Sequence, residues 1–184
     1  LELVGEAVRG TREGLEVAAG TGLVTAVLAR NAAHVVATDY APAMIEQLQR
    51  RLDEQGLANV ECRVADLYRL DMPPASFDAV VAANVLHLVN DLEHALAALV
   101  NLLRPGGILV APTYAHDETV AARVVSRVLG TLTGFPGRRR FTRSTLGAAL
   151  EGAGLSVSTL VVVPGLLPIV FAAATKRANA EEEE

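Results

Sequence analysis

Cysteine is almost missing from this sequence: Cys62 is the only one among 184 residues. A single cysteine allows no disulfide within the chain and no cysteine-based metal cluster. The four histidines are not arranged in the close pairs that zinc sites use. We therefore expect a reduced, half-buried thiol, no metal site and a cytoplasmic protein.

Positive charge and aromatic residues are scarce as well. The chain has 16 Lys and Arg against 21 Asp and Glu, which gives a net charge of −5. A nucleic-acid-binding domain is usually strongly basic, so this balance argues against nucleic acid as a partner. The rest is an ordinary globular composition, 51% hydrophobic, in a chain long enough for one domain, which we place at residues 1–184.

One long run carries no charge, from Gly152 to Thr175. It is long enough to resemble a membrane span, but Pro164, Gly165 and Pro168 interrupt it. We expect two buried strands joined by a Pro-Gly turn instead. The acidic start of the chain carries no cleavage signal, so the sequence predicts no signal peptide.

A glycine turn organises the rest of the sequence. The apolar run Leu15–Ala19 predicts a buried strand, Gly20-Thr21-Gly22 follows, and a helix-forming run begins at Ala26. Glycines let the backbone bend tightly and approach a ligand, and the next helix presents unpaired N–H groups. Strand, glycine turn and helix in this order are typical of a nucleotide-binding site.

Strands and helices continue to alternate after this turn. The expected strands are His34–Thr38, Val60–Val64, Phe77–Ala83, Ile108–Pro112, Ser156–Val163 and Ile169–Ala174, and the expected helices start at Pro42, Asp91, Glu118 and Arg143. This order predicts an α/β fold: a Rossmann-like, doubly wound sheet of seven strands in a three-layer α/β/α sandwich. The sheet is mostly parallel with an antiparallel last strand, and its ligands bind at the carboxyl ends of the strands.

Five motifs appear in a family-like order: E-V-A-A-G-T-G, T-D-Y-A-P-A-M, V-A-D-L, F-D-A-V-V-A-A-N-V-L-H and L-L-R-P-G-G-I-L-V. Together they resemble the class I S-adenosylmethionine-dependent methyltransferases, and most of all the bacterial small-molecule branch with quinone and phospholipid methyltransferases. The resemblance covers about Leu15 to Thr113. It implies S-adenosyl-L-methionine as cofactor and methyl transfer by direct in-line displacement to a small-molecule or lipid-like acceptor.

The resemblance also implies a cofactor site. Asp39 corresponds to the acid that binds both ribose hydroxyls, and Asp66 to the acid beside the adenine amino group. The full implied set is Glu16, Ala18, Gly20, Thr21, Gly22, Asp39, Tyr40, Met44, Asp66, Leu67, Asn84 and Val85. Blander alternatives stay open: Asp39 as a helix-start acid, Met44 as core and Asp66 as a surface acid.

Ala18 departs from the family pattern, which usually has glycine at this position. An alanine is tolerated there if its φ is negative, and it would then only narrow the space beneath the cofactor. We expect cofactor binding to survive this difference.

A general base is needed only if the acceptor carries a proton that must leave. The candidate catalytic residues are His116 and Tyr114, which follow the fifth strand, and His87, which follows the fourth. His87 fits equally well as a packed histidine at a helix start.

Four arginines, Arg138, Arg139, Arg140 and Arg143, follow an amphipathic stretch. They form either a solvated charge run or part of a substrate lid over about residues 114–145, which would read an anionic group or a lipid surface. Residues 1–12 resemble the remnant of an N-terminal cap helix, and residues 176–184 form a polar tail expected to fray. The sequence does not indicate an oligomeric state.

Two other functions remain open at this point. A NAD(P)-dependent oxidoreductase would share Gly20, Gly22 and Asp39, but Thr25 stands where its third glycine or alanine would be. A non-catalytic S-adenosylmethionine-binding module is the third possibility, because no base is obvious.

Overall fold

Eight strands form one sheet within residues 1–114, 139–165 and 168–178, which are the residues that this computed structural model describes. The helices are α1 (Glu2–Ala7), α2 (Thr25–Asn31), α3 (Pro42–Glu54), α4 (Leu92–Leu102) and α5 (Arg143–Gly152). The strands are β1 (Thr11–Glu16), β2 (Ala32–Asp39), β3 (Val60–Val64), β4 (Phe77–Val81), β5 (Leu103–Val110), β6 (Thr113–Tyr114), β7 (Leu155–Val163) and β8 (Ile169–Lys176). The predicted helix from Glu118 lies outside the described residues.

The strand order is β3-β2-β1-β4-β5-β8, with β7 on the outer side of β8. The first five strands are parallel, and β8 is antiparallel to both β5 and β7. The two-residue strand β6 was not predicted, and it pairs with the start of β8. The Rossmann-like fold with an antiparallel last strand is confirmed.

Both faces of the sheet are apolar because successive strand residues point to opposite sides. Val80 packs on one face with α4 and α5, while its neighbours Ala79 and Val81 pack on the other with α1 and α2. Leu48 and Leu52 of α3 form a third cluster over Ala37. Two layers of helices therefore cover the sheet. Polar side chains that could contact a ligand lie at the ends of the strands instead.

Strand β1 begins four residues before the predicted strand. Their polar side chains alone would assign residues 10–14 to a loop, yet Thr11 already pairs with Ala32. The backbone N–H groups of Arg12 and Glu13 donate to Asp78 Oδ2 at 3.2 and 2.9 Å. A side chain distant in sequence thus satisfies polar backbone that periodicity alone assigned to a loop.

Strand β5 begins at Leu103, earlier than the predicted Ile108, and it includes Arg104-Pro105-Gly106-Gly107, a run that by itself indicates a chain break. The register with β4 moves from Phe77↔Leu103 to Ala79↔Ile108, so the four residues form a bulge inside the strand. Arg104 Nη1 donates to Asp78 Oδ1 at 2.5 Å. The Pro-Gly-Gly run does bend the backbone, but the strand continues through the bend.

We expect Asp78→Asn to lower the free energy of unfolding by about 1–2 kcal/mol, since its carboxylate joins β1 to the bulge of β5. Desolvation raises the pKa of Asp78, but the Glu13 N–H and the Arg104 guanidinium outweigh it, and the pKa is lowered overall. Its contribution is therefore present above the unfolded-state pKa and is lost as the pH falls through the folded-state value. Urea unfolding at pH 7 and pH 3 measures both effects, and an equal loss at the two pH values would contradict this account.

The uncharged run folds as the antiparallel pair β7 and β8, as predicted, although residues 166–167 of its turn lie outside the described part. The expectation that both strands are buried is wrong for β7. Val161, Val162 and Val163 are exposed because β7 is the edge strand. Among the described residues, none of the helices has the length and apolar character that a membrane span requires.

Candidate functional site

The glycine turn, residues 17–24, joins β1 to α2 at the carboxyl edge of the sheet. Gly20 and Gly22 have φ values of +55° and +83°, in the region that favours glycine. A Cβ on Gly22 would lie 2.3 Å from Leu48 Cδ1, so the turn packs directly on α3. A Cβ on Gly20 would meet no atom within 4 Å, so the backbone is open to a ligand there.

The conformation of Ala18 differs from the one expected at this turn. The expectation required a negative φ, but its φ is +52°. An alanine in the left-handed region costs roughly 1–2 kcal/mol, because its Cβ crowds the following carbonyl. Hydrogen bonds on both sides keep the backbone in this strained conformation. Val17 N–H donates to Val81 O at 3.0 Å, and Ala19 N–H donates to Thr38 O at 2.9 Å.

We expect Ala18→Gly to raise the free energy of unfolding by about 0.5–1 kcal/mol, after the greater freedom of glycine in the unfolded chain is subtracted. Urea denaturation of the purified variant measures it. Ala75→Gly is the matched control, because Ala75 also has a positive φ, +51°, but lies outside the turn. If Ala18→Gly were destabilised while Ala75→Gly was stabilised, the conclusion that the backbone at Ala18 is strained would be contradicted.

Asp39 ends β2 beside the glycine turn, as the sequence predicts. Its Oδ2 accepts the Gly20 N–H at 2.8 Å, and its Oδ1 accepts the Ala41 N–H at 2.9 Å. Each carboxylate oxygen keeps a further acceptor position, because a carboxylate has about four. The residue is half-buried, so it both shapes the turn and remains accessible to hydroxyl donors.

Glu16 lies under the turn and is 1% exposed. Its Oε2 accepts a 2.5 Å hydrogen bond from the hydroxyl of Thr25, which is itself fully buried in the first turn of α2. Burial raises the pKa of Glu16 to about 8, the Thr25 hydrogen bond opposes this, and the charge of Asp39 adds to the rise. The surroundings of Glu16 therefore disfavour its ionised form.

The other residues of the implied cofactor set extend along the same edge of the sheet. Asp66 is half-buried after β3, and its Oδ1 accepts the Tyr68 N–H at 2.9 Å, which forms a tight loop. Tyr40 is 77% exposed and Thr21 is also exposed, so neither is committed to the core. The half-buried members are Met44, Leu67 and Val85.

Asn84 follows β4 with a φ of +52°, a conformation that asparagine tolerates better than most residues. Its N–H donates to Pro112 O at 2.7 Å. Within the described part of the chain, its buried Oδ1 has no hydrogen-bond partner. An acceptor oxygen in this state fits the edge of a ligand site, since buried polar atoms are otherwise almost always paired.

His87 and Tyr114 are brought together next to Asn84. The rings of His87 and Tyr114 meet edge to face with centroids 5.7 Å apart, and His87 Nδ1 lies 3.2 Å from Thr113 Oγ1. His87 is fully buried, and its carbonyl accepts the Arg139 N–H at 3.2 Å. His116 lies outside the described residues, so its predicted role remains a prediction.

Sequence reasoning missed Thr25 and Thr113 as site residues. Both hydroxyls are fully buried and each lies against a titratable side chain of the site. A threonine in the first turn of a helix was the only available signal, and it is a common helix-start residue. Among the residues described, no group of three or more histidine, cysteine or acidic side chains could hold a metal ion.

The residues present fit a nucleoside-like cofactor. The open backbone at Gly20, the carboxylate of Asp39 beside it and the unpaired Asn84 Oδ1 lie at the carboxyl ends of three neighbouring strands, β1, β2 and β4. A separate groove of about 1060 Å³ lies between α4 and α5, but none of its lining residues belongs to the predicted cofactor set. The fold is thus an α/β domain whose strand order reverses between β1 and β4, the place where open α/β sheets usually bind their ligands.

The family is established by comparison. Residues 15–111 match the family model described as "Methyltransferase domain", which is more than half of the chain. The chain belongs to this methyltransferase family, and the resemblance drawn from the five motifs is confirmed. S-adenosylmethionine, the expected cofactor, is the one that the comparisons support.

Three similar proteins place the chain further. An uncharacterized methyltransferase of Mycobacterium tuberculosis is 36% identical over 57% of this chain and 52% of its own length. A ubiquinone biosynthesis O-methyltransferase of Methylocella silvestris is 37% identical over 54% of this chain and 38% of its own length. A SAM-dependent methyltransferase structure from Aquifex aeolicus shares the fold with a TM-score of 0.76 and 20% identity, over 95% of this chain and 88% of that one. The chain thus spans about half or less of the curated relatives that it matches.

Proposed function

We propose that this domain transfers a methyl group from S-adenosylmethionine to a small-molecule acceptor by direct in-line displacement. The observation that carries the proposal is the Asp39 carboxylate, held at 2.8 Å from the Gly20 N–H beside open backbone. The cofactor supplies an electrophilic methyl group when bound, so the protein has to align two partners. Good alignment recovers about 7–11 kcal/mol of the barrier.

The residues of this chain divide that work. Asp39 binds the ribose hydroxyls, Asp66 binds the adenine amino group, and the glycine turn holds the methionine part. Asn84 and Val85 line the passage beside the reacting methyl. His87 and Tyr114 lie on the acceptor side, where His87 or His116 takes the proton of an acidic acceptor.

A quinol or phenol is the acceptor class that we propose first. One supporting observation is the similarity to a ubiquinone biosynthesis O-methyltransferase, although this covers only 38% of that protein. A hydroxyl acceptor also gives a buried histidine beside a tyrosine a proton to remove. Methyl release with a panel of quinols, phenols and amino lipids tests the class, and calorimetry against S-adenosylhomocysteine and NAD separates methyl transfer from hydride transfer.

We expect His87→Gln to lower kcat by about 10²–10⁴-fold with a hydroxyl acceptor, because a general base contributes this much. The affinity for S-adenosylhomocysteine should change less than twofold, roughly the scatter expected of a residue outside the cofactor set. His94→Gln is the matched control, since His94 lies on α4 against Tyr68 and away from this cluster. If kcat survives in His87→Gln and falls in His116→Ala, the base is His116.

The arginine cluster supplies a second partner for the acceptor. Arg140 and Arg143 are exposed, and Arg139 is anchored through its N–H to the His87 carbonyl, whereas Arg138 lies outside the described residues. We propose that these arginines contact an anionic acceptor or an anionic lipid surface near the catalytic cluster. Flotation with anionic liposomes tests the lipid version, and a protein that remains wholly unbound contradicts it.

A further inference from the structure

The buried pair of Glu16 and Thr25 has no part in the mechanism so far. Glu16 ends β1 and Thr25 begins α2, so the hydrogen bond between them closes the glycine turn across its base. Both side chains are essentially inaccessible to water, at 1% and 0% exposure. This hydrogen bond therefore links the conformation of the glycine turn to the protonation state of the Glu16 carboxyl group.

Negative charge on Glu16 is poorly compensated in this environment. The Thr25 hydroxyl donates the one hydrogen bond that the described residues give to its carboxyl group. Asp39, at the end of the neighbouring β2, adds a negative charge, and its two oxygens accept the backbone N–H groups of Gly20 and Ala41. Strand β4 contributes the apolar Val81 beside Glu16, and from α3 the Cδ of Arg51 would lie 3.7 Å from a Cβ placed on Gly22.

A cationic ligand at the turn would instead favour the ionised form of Glu16. The cofactor of the proposed function carries an ammonium and a sulfonium group, and the resemblance places its methionine part beside Glu16. A positive charge within a few ångströms favours the ionised form of a buried carboxyl group.

We propose that Glu16 is a neutral acid in the free protein and releases its proton to solvent when the cationic cofactor binds, and that Thr25 is a positioning residue whose hydroxyl stabilises the ionised carboxylate. The inference rests on the proposed cofactor site and adds a proton balance to it: one O–H bond of Glu16 breaks, and the proton passes to the buffer. Binding then becomes tighter as the pH rises.

The expected pH dependence follows from linkage. Glu16 is protonated in the free protein below about pH 8. If the bound form is ionised, the Kd falls by about tenfold for each pH unit between pH 6 and pH 8. The cofactor-free protein shows the opposite trend: with its raised pKa, Glu16 contributes stability that is full below the unfolded value and is lost as the pH rises towards 8.

Calorimetry of S-adenosylhomocysteine and S-adenosylmethionine binding at pH 7, in buffers of different ionisation enthalpy, counts the released protons. We expect close to one proton for the wild type and none for Glu16→Gln, whose Kd should change little between pH 6 and pH 8. Any titration of the ligand itself is shared by both proteins and therefore cancels. Binding by the wild type without proton release would overturn the inference.

Thr25 variants test the positioning role. Thr25→Val removes the hydroxyl with little change in shape, so Glu16 should hold its proton more tightly and the Kd at pH 7 should rise by about tenfold. Thr25→Ser should restore both the Kd and its pH profile, which a purely structural role would not predict. An unchanged pH profile in Thr25→Val would remove Thr25 from the proposal.

The stability of the cofactor-free protein is an independent readout. As the pH rises from 6 to 8, the Tm of the wild type should fall relative to that of Glu16→Gln, and parallel curves would contradict a neutral Glu16. If the wild type binds neither ligand at any pH, the proposed function fails first. That outcome is distinct from binding without proton release, in which only the present inference fails.

Discussion

Asp39→Asn is expected to weaken the binding of S-adenosylhomocysteine by about a hundredfold. A hydrogen bond to a charged group is worth about 1.5–3 kcal/mol, and the amide keeps only one of the two acceptor oxygens. Its NH₂ group would also face the N–H of either Gly20 or Ala41, which now donate to the two carboxylate oxygens at 2.8 and 2.9 Å. The variant thus loses ribose contacts and an anchor of the turn together.

Calorimetric titration measures this effect directly. Asp78→Asn is the matched control, because Asp78 is likewise a carboxylate that accepts two backbone N–H groups. It lies near the start of β4, against the start of β1, and so at the opposite end of these strands from Asp39. We expect Asp78→Asn to be less stable and to bind with nearly wild-type affinity. Equal affinities of Asp39→Asn and the wild type would remove Asp39 from the cofactor site.

Gly22→Ala has the largest expected effect on folding, a loss of about 3 kcal/mol in the free energy of unfolding. The φ of +83° contributes roughly 1–2 kcal/mol of backbone strain, and the overpacked contact with Leu48 contributes about 1–3 kcal/mol more. The new Cβ would lie 2.3 Å from Leu48 Cδ1, and Leu48 is fully buried. Urea unfolding followed by circular dichroism measures the loss.

Gly10→Ala separates strain from packing. Gly10 has a similar φ of +77°, but a Cβ there would meet nothing within 4 Å, so we expect a loss of about 1 kcal/mol. The double variant Gly22→Ala with Leu48→Ala should be less destabilised than the sum of the two single variants, since the smaller side chain removes the clash. Equal losses at Gly10 and Gly22 would show that Leu48 yields.

The carboxyl edge of the sheet could be predicted because its residues follow local patterns. Asp39 ends β2, Asp66 and Asn84 lie two and three residues after β3 and β4, and parallel strands bring their carboxyl ends to one edge. The strand Val60–Val64 and the helix from Arg143 to Gly152 match their predicted bounds for the same reason. Each of these signals lies within a dozen consecutive residues.

The starts of β1 and β5 could not be predicted in this way. Asp78 satisfies the N–H groups of Arg12 and Glu13 and pairs with Arg104, across 26 to 66 residues of sequence. Polar strand ends resemble loops until their distant partner is known. The exposure of β7 likewise depends on its place at the edge of the sheet, which its own apolar composition does not reveal.

The sequence by itself determined the family, the order of strands and helices and the acids at the strand ends, because spaced motifs and hydrophobic periodicity act over short distances. Only the tertiary structure decided the left-handed conformation of Ala18, the burial of Glu16 against Thr25 and the contact of His87 with Tyr114. Conformational strain, desolvation and side-chain contacts depend on groups that folding brings together. All three features therefore arise from packing.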